Sequence, residues 1–236
     1  MADHEHDHGD HDHHHDDDVD VDFEAEAKLE AEAENRARRQ IALSQIRQYG
    51  DPVLRMRANE VQSFDEELAR LAERMLLLMH DADGVGLAAT QIGILRRVFV
   101  FHNEGGDVVV VNPVLAKTSR GVEVDEEGCL SLGPVRMPVE RSVEVTLEGV
   151  DADGAPLRLK LEGMPARVVQ HEVDHLDGKL IVDRTDPESR REALAHLRPR
   201  LVISRERWPG SRSPRRPRSE RTCWSGLPRS TRSRLS

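Results

Sequence analysis

Long hydrophobic runs are missing from this sequence. No apolar stretch approaches the roughly 18 residues that a membrane-spanning helix needs, and the N-terminus lacks the apolar segment of a signal peptide. Only two of the 236 residues are cysteine, which excludes a disulfide-stabilised scaffold. We therefore expect a soluble, cytoplasmic protein with no membrane contact.

Aromatic residues are also scarce, at 3% of the chain, and the 37% hydrophobic content is low for a compact fold. The two ends of the chain account for this. Residues 1–22 are a His/Asp run with seven of the 12 histidines, and residues 205–236 are Arg/Ser/Pro-rich, with ten Arg and two Glu. Both ends are expected to be disordered because they have almost nothing to bury. A solvated acidic tail is the preferred interpretation of residues 1–22, and a metal-scavenging tail is the alternative.

Three segments are predicted: an N-terminal segment (1–45), a folded domain (46–204) and a basic tail (205–236). Residues 23–48 are rich in good helix formers and predict a mobile helical extension. Apolar residues between Leu68 and Met79 recur at helical spacing. They predict a helix that begins after a capping box at Ser63 and Glu66 and ends at Gly84. Strands are predicted at Ile94–Phe101, Val108–Val111, Val143–Leu147 and Leu157–Leu161. A turn at Asp151–Gly154 joins the last two strands. A further helix is predicted from Asp186 to about Leu201. This order predicts an α+β fold with antiparallel or mixed β-sheets.

The stretch "QHEVDHLDG", Gln170–Gly178, places two histidines four residues apart. On a helix, His171 and His175 project from one face and can share one metal ion. Glu172 flanks that face and can act as a general base on a water. Pro165 suits the first turn of this helix and Gly178 suits its end. The alternative is a chance H-E-x-x-H whose histidines are satisfied by hydrogen bonds.

A catalytic metal site usually needs a third protein ligand. Ile181 stands where the metzincin pattern requires histidine, so that pattern fails. Downstream, Glu188 and Glu192 offer carboxylates, and upstream Cys129 lies in "EEGCLSL". A lone cysteine is more often a buried hydrophobe, but Gly128 allows close backbone approach. The alternation of Leu130 and Leu132 also predicts a short extended segment anchored on a core.

The stretch "GVGLAATQIG", Gly84–Gly93, surrounds Gln91 with glycine and alanine, as expected where something approaches the backbone closely. Three stretches of this chain, taken in order, resemble the signature of the peptide deformylases. They match the patterns G-x-G-x-A-A-x-Q, E-G-C-L-S and Q-H-E-x-D-H-L-x-G. The resemblance extends from about Ile46 to about Leu201. The sequence departs from the family pattern at Gly133-Pro134, because many members have proline directly after the S-L pair.

The resemblance implies hydrolysis of the N-formyl group from the initiator methionine of nascent proteins, in a fold built around a central metal-binding helix carrying HExxH. It implies three metal ligands, Cys129, His171 and His175, with Glu172 moving the proton. By the same resemblance, the Gln91 amide and the Leu130 backbone N–H stabilise the oxyanion, and the substrate is bound by Val85, Gly86 and Met164. Ordinary core positions are the alternative for Val85 and Met164.

One sulfur ligand favours iron, nickel, cobalt or zinc over magnesium or calcium. The resemblance implies ferrous iron, with Zn²⁺, Ni²⁺ or Co²⁺ as alternatives. The expected partners are N-formyl-methionyl nascent peptides, with weak contact to the ribosome or RNA through the basic tail. A metalloprotease and a metal-storage protein are the competing functional hypotheses.

Overall fold

The computed structural model describes residues 23–197, which form four α-helices and seven β-strands within one compact unit. In chain order these are α1 (Phe23–Ser44), α2 (Glu66–Asp81), β1 (Gly86–Ala88), β2 (Val98–Asn103), β3 (Gly106–Thr118), β4 (Val122–Gly128), β5 (Arg136–Ser142), β6 (Glu144–Val150), β7 (Pro156–Glu162), α3 (Gly163–Leu176) and α4 (Pro187–Leu197). The tails predicted at 1–22 and 205–236, and the helix end predicted at Leu201, lie outside the described residues.

All the strand pairs between these elements are antiparallel, so the predicted α+β class with antiparallel sheets is confirmed. Five strands form one sheet in the order β1-β2-β3-β6-β7, and β4 pairs with β5 in a second sheet. No helix within residues 23–197 is long and apolar enough to cross a membrane.

Strand β2 is buried on both faces and separates two parts of the core. Val98 and Val100 pack with α2, whereas Phe99 and Phe101 pack with α3 on the opposite face. Side chains alternate between the faces of a strand, so a continuous apolar run in a strand indicates burial on both sides. The large sheet therefore holds α3 in a fixed position on one face.

Helix α2 was predicted from its apolar spacing, but the predicted ends were wrong. The Asp65 side chain caps the helix by accepting hydrogen bonds from the backbone N–H groups of Glu67 and Leu68, so the Ser63 capping box does not form. Either residue type can cap a helix, and here the later one does so. The helix ends at Asp81, and the two following residues lead to Gly84.

The four predicted strands are present with shifted bounds, and the turn at Asp151–Gly154 joins β6 to β7 as predicted. The strand predicted from Ile94 begins at Val98, whereas β3 extends well beyond both ends of the prediction. The pair β4–β5 was missed because four of the seven residues of β4 are acidic and its apolar alternation is limited to Val122 and Val124. This missed pair leads directly to Cys129.

Candidate metal centre and its cavity

Helix α3 places the two histidines of the HExxH stretch on one face, as predicted. Pro165 lies in the first turn, and apolar residues such as Val169 and Leu176 pack against the sheet. The Nε2 atoms of His171 and His175 are 3.1 Å apart. The helix therefore turns both imidazoles towards one point.

Cys129 supplies the third donor atom at that point. It follows β4, and its Sγ lies 3.3 Å from His175 Nε2. One ligand atom from each of Cys129, His171 and His175 lies within 4.8 Å of the others. Glu188 and Glu192, the downstream alternatives, are exposed on α4 and are not part of this cluster.

The segment after Cys129 is a 3-10 turn over Leu130–Leu132, so the predicted extended conformation was wrong. The tight turn still buries Leu132, which packs with Met137 and Val139 of β5. Anchoring by Leu132 was therefore predicted correctly, although the backbone path was not.

A sulfur and two imidazole nitrogens form a donor set that suits a divalent transition metal. The facing Nε2 atoms also need a cation or a proton between them, because two imidazole acceptors cannot bond each other. Burial lowers the pKa of His171, but hydrogen bonds to Cys129 and Glu127 outweigh it and raise that pKa. Burial, and next the charge of the neighbouring His171, lower the pKa of His175. The side chains present therefore fit one metal ion.

A buried ionic network orients His171 from behind. His171 Nδ1 lies 3.0 Å from Glu127 Oε2, which leaves Nε2 facing the cluster. Arg141 donates to both Glu127 oxygens at 2.9 and 3.0 Å and to Asp174 Oδ2 at 2.5 Å. Burial by itself raises the pKa of Glu127, but hydrogen bonds from His171 and Arg141 outweigh it and lower that pKa to about 2. Glu127 therefore stays ionised and holds the imidazole in place.

Sequence reasoning did not single out this network. Glu127 and Asp174 lie inside the recognised motifs, but nothing in the sequence indicated that they form buried ion pairs. Arg141 and Arg167 had no local signal. Arg167 Nη1 nevertheless donates to Glu127 Oε1 at 3.0 Å and to Val139 O at 2.8 Å.

Replacing Arg141 with Met is expected to lower the free energy of unfolding by about 1.5–3 kcal/mol, because Glu127 and Asp174 each lose one buried charged donor while Arg167 and Arg184 remain. Urea denaturation of the purified proteins measures this. The control is Arg158→Met, which removes an exposed ion pair with Glu148 (3.0 Å) and is expected to cost less than about 1 kcal/mol. Equal losses in the two variants would contradict the structural role of Arg141.

Glu172 lies beside the cluster and is buried, with 3% of its surface exposed. Burial raises the pKa of this carboxyl to about 7. Among the described residues, its Oε2 atom has no hydrogen-bond partner. A Cβ atom at Gly86 would lie 2.5 Å from Glu172 Oε1, so only glycine leaves room for the carboxyl group. Gly86 and Glu172 are therefore in direct contact.

Gln91 is held in one orientation by its own turn. Its Oε1 accepts a hydrogen bond from the backbone N–H of Ala88 at 2.8 Å. Its Nε2 therefore faces the cluster, 3.7 Å from Cys129 Sγ and 3.2 Å from Ser131 Oγ. The predicted amide donor thus lies beside the predicted sulfur ligand.

A cavity of about 710 Å³ opens beside the cluster, within the size range of ligand-binding clefts. Val85 and Met164 line it and are each 58% exposed, so the alternative that they are core residues is wrong. The wall also includes Gly86, Leu130 and the Gly133-Pro134 segment. All the predicted site residues except His175 line this cavity.

An α+β domain with a Cys/His/His cluster, and a buried carboxyl group beside it on a cavity wall, is the arrangement expected of a metal-dependent hydrolase. The family model for polypeptide deformylase matches residues 43–191. Peptide deformylase 1 of Corynebacterium glutamicum is 46% identical over 162 residues, which cover 67% of this chain and 96% of that protein.

Solved structures agree with this match. The crystal structure of peptide deformylase from Thermotoga maritima is 47% identical with a TM-score of 0.59, covering 60% of this chain and 97% of that one. A peptide deformylase from Legionella pneumophila is 39% identical with a TM-score of 0.62, covering 64% of this chain and 91% of that one. The chain belongs to the polypeptide deformylase family. It is accordingly an enzyme that removes the N-formyl group from the N-terminal methionine of newly synthesised proteins.

Proposed function

We propose that this chain performs deformylation with a single divalent metal held by Cys129, His171 and His175, on α3 as the central metal-binding helix. The observation that carries the proposal is the convergence of these three donor atoms within 4.8 Å beside the 710 Å³ cavity. The catalytic domain is proposed to span 46–204, and the family match over 43–191 covers most of this range.

Glu172 is the proposed general base and acid. When bound, a divalent metal lowers the pKa of a coordinated water from 15.7 to roughly 7, which makes hydroxide available near neutral pH. Glu172 takes the proton of the attacking water and delivers it to the amine that leaves as formate is released. Its unpartnered Oε2 and its raised pKa support this role.

Gln91 and Leu130 are the proposed donors to the oxyanion that forms at the formyl carbon. The Gln91 amide is already oriented by the Ala88 N–H, so it loses little freedom when the oxyanion forms. Leu130 contributes its backbone N–H from the turn that follows Cys129. Loss of one such donor typically lowers the rate about 100 to 1,000-fold.

The substrate methionine is proposed to bind against Val85 and Met164, with its backbone beside Gly86. Val85 and Met164 are both apolar and exposed, which supports contact with an apolar ligand side chain. The absence of a side chain at Gly86 leaves room for the Glu172 carboxyl group, which therefore lies directly beside the residue proposed to meet the peptide backbone. Ferrous iron is the proposed metal on the family resemblance, and one thiolate with two imidazoles also accepts Zn²⁺, Ni²⁺ or Co²⁺.

Formate release from formyl-Met-Ala, measured under anaerobic conditions with iron or nickel, tests the proposed function. Formate is expected to appear together with free Met-Ala. Cleavage of internal peptide bonds instead would identify a metalloprotease. Absence of formate release from fully metal-loaded protein would reject deformylation.

The basic tail is proposed to give weak ribosome association. Residues 205–236 carry about +8, and residues 1–34 carry 15 Asp and Glu against one Lys, which is enough to mask the tail. Phosphate contacts by arginine make binding fall steeply with salt. In sedimentation with ribosomes, a 35–236 chain is expected to bind more strongly than the full chain, and a 1–204 chain is expected to bind least. Equal binding by all three chains would reject this role.

A further inference from the structure

A second cluster of metal-ligating side chains lies on the surface, outside the Cys129, His171 and His175 group. His80 belongs to the last turn of α2, His102 to β2 and Asp107 to β3. His80 Nε2 is 2.8 Å from Asp107 Oδ2, and His102 Nδ1 is 2.8 Å from Asp107 Oδ1. One ligand atom from each residue lies within 4.8 Å of the other two, and all three residues are exposed.

The backbone holds these donors together. His102 and Asp107 are directly opposite each other in the β2–β3 pairing, which fixes their separation. The C-terminal end of α2 brings His80 to the same place, and helix C-termini favour positive charge. Three elements thus supply three ligands, and exposure to solvent leaves positions for water in the coordination shell.

We propose that His80, His102 and Asp107 form a second binding site, which takes a divalent transition metal such as Zn²⁺ through two imidazoles and one carboxylate. Imidazole and carboxylate are both common zinc ligands, and each ring presents a nitrogen to the same carboxylate. The site lacks sulfur, so its preference among metals differs from that of the Cys129 site.

The surface site is connected to the wall of the cavity. The backbone N–H of His102 donates to Val85 O at 3.0 Å, and the N–H of Gly84 donates to Met79 O at 2.9 Å. The segment from Asp83 to Gly86 is thus attached to α2 and to β2, the elements that provide His80 and His102. A metal at the surface site would tie these two elements together and restrict the movement of the Val85 segment.

Zinc anomalous diffraction from crystals of the holoenzyme soaked in Zn²⁺ tests this site directly. A peak between His80, His102 and Asp107 is expected in the wild type and is expected to be lost in Asp107→Asn and His80→Gln. The control variant His196→Gln changes an exposed histidine on α4 and should keep the peak. No peak at the surface cluster, in crystals that show zinc elsewhere, overturns the proposal.

Thermal unfolding of the full chains gives a second measurement that does not need crystals. Zinc is expected to raise the Tm of the wild type and His196→Gln more than that of Asp107→Asn or His80→Gln. Residues 1–22 are present in all four chains, so metal binding by that segment cancels in the comparison. An equal zinc-dependent rise in Tm in all four chains overturns the proposal.

Helix α1 contributes Arg39 and Leu43 to the wall of the cavity. The family match begins at residue 43, so Arg39 comes from a segment that precedes it. Arg39 Nε lies 3.0 Å from Asp83 Oδ2, and the two side chains are 49% and 76% exposed. An exposed ion pair of this kind contributes little to stability, so Arg39 can exchange Asp83 for another carboxylate.

We infer that Arg39 selects for acidic side chains in the substrate after the formyl-methionine, an inference that rests on the proposed function. Asp83 precedes the glycine-rich segment proposed to lie beside the substrate backbone, so Arg39 is placed to meet residues further along the peptide. Glu126 and Arg136 also line the cavity and contribute charges of opposite sign. Of the two residues that α1 adds to this wall, Arg39 is the charged one.

The ratio of kcat/KM for formyl-Met-Ala-Asp-amide to that for formyl-Met-Ala-Lys-amide measures this selection. Arg39→Gln is expected to lower the ratio about 2- to 5-fold, the range for an exposed ion pair. The control Arg36→Gln changes an exposed arginine of the same helix and should preserve the ratio. An unchanged ratio in Arg39→Gln overturns the inference, whereas failure of the wild type to hydrolyse formyl-Met-Ala would reject the proposed function instead.

Discussion

Replacing Glu172 with Gln is expected to lower kcat for formyl-Met-Ala by about 100-fold or more, while the metal content stays unchanged. Glutamine keeps the size of the side chain in the space beside Gly86 but cannot take up a proton. Because Glu172 is not one of the three clustered donors, its loss should not release the metal. Formate release and metal content would be measured on the same preparation.

The matched control is Glu188→Gln, which makes the same chemical change at an exposed position on α4. This variant is expected to retain wild-type kcat. Full activity of Glu172→Gln at full metal content would exclude Glu172 as the group that moves the proton. A low metal content in that variant would instead assign it a part in ligation.

Cys129→Ala, His171→Ala and His175→Ala are each expected to lose most of the metal and, with it, nearly all activity. Each substitution removes one of three donors, and the remaining pair cannot complete a site of the usual catalytic type. Metal content would be measured by elemental analysis on chains without residues 1–22, because the histidines of that segment can bind metal by themselves.

Two controls separate ligation from a general effect of the substitutions. Cys223→Ala, outside the described residues, and His196→Ala on α4 are expected to keep full metal content. Unchanged metal content in Cys129→Ala would indicate that a glutamate downstream of α3 is the third ligand. Such a result would favour a ligand set of the protease type.

Much of the site was predictable because its parts lie in short stretches of sequence. A four-residue spacing on a helix fixes the relation of His171 to His175, and glycine next to a functional residue reports close approach. The apolar spacing of α2 was equally clear. These signals are local, so no knowledge of the tertiary structure is needed to see them.

The ionic network could not be predicted, because its partners are distant in sequence. Arg141 meets Asp174 33 residues away, and Arg167 meets Glu127 40 residues away. A buried arginine looks the same in sequence as an exposed one until its partner is known. Similarly, both Ser63 and Asp65 are good helix caps, and only the packing of the chain decides which one is used.

The contact between Gly86 and Glu172 couples these two positions sterically. A side chain at position 86 would collide with the carboxyl group, so it requires a shorter acid at position 172 or a shift of α3. A shorter acid would in turn draw the carboxyl group back from the cavity. Glycine at position 86 is therefore part of what keeps the Glu172 carboxyl group at the cavity wall.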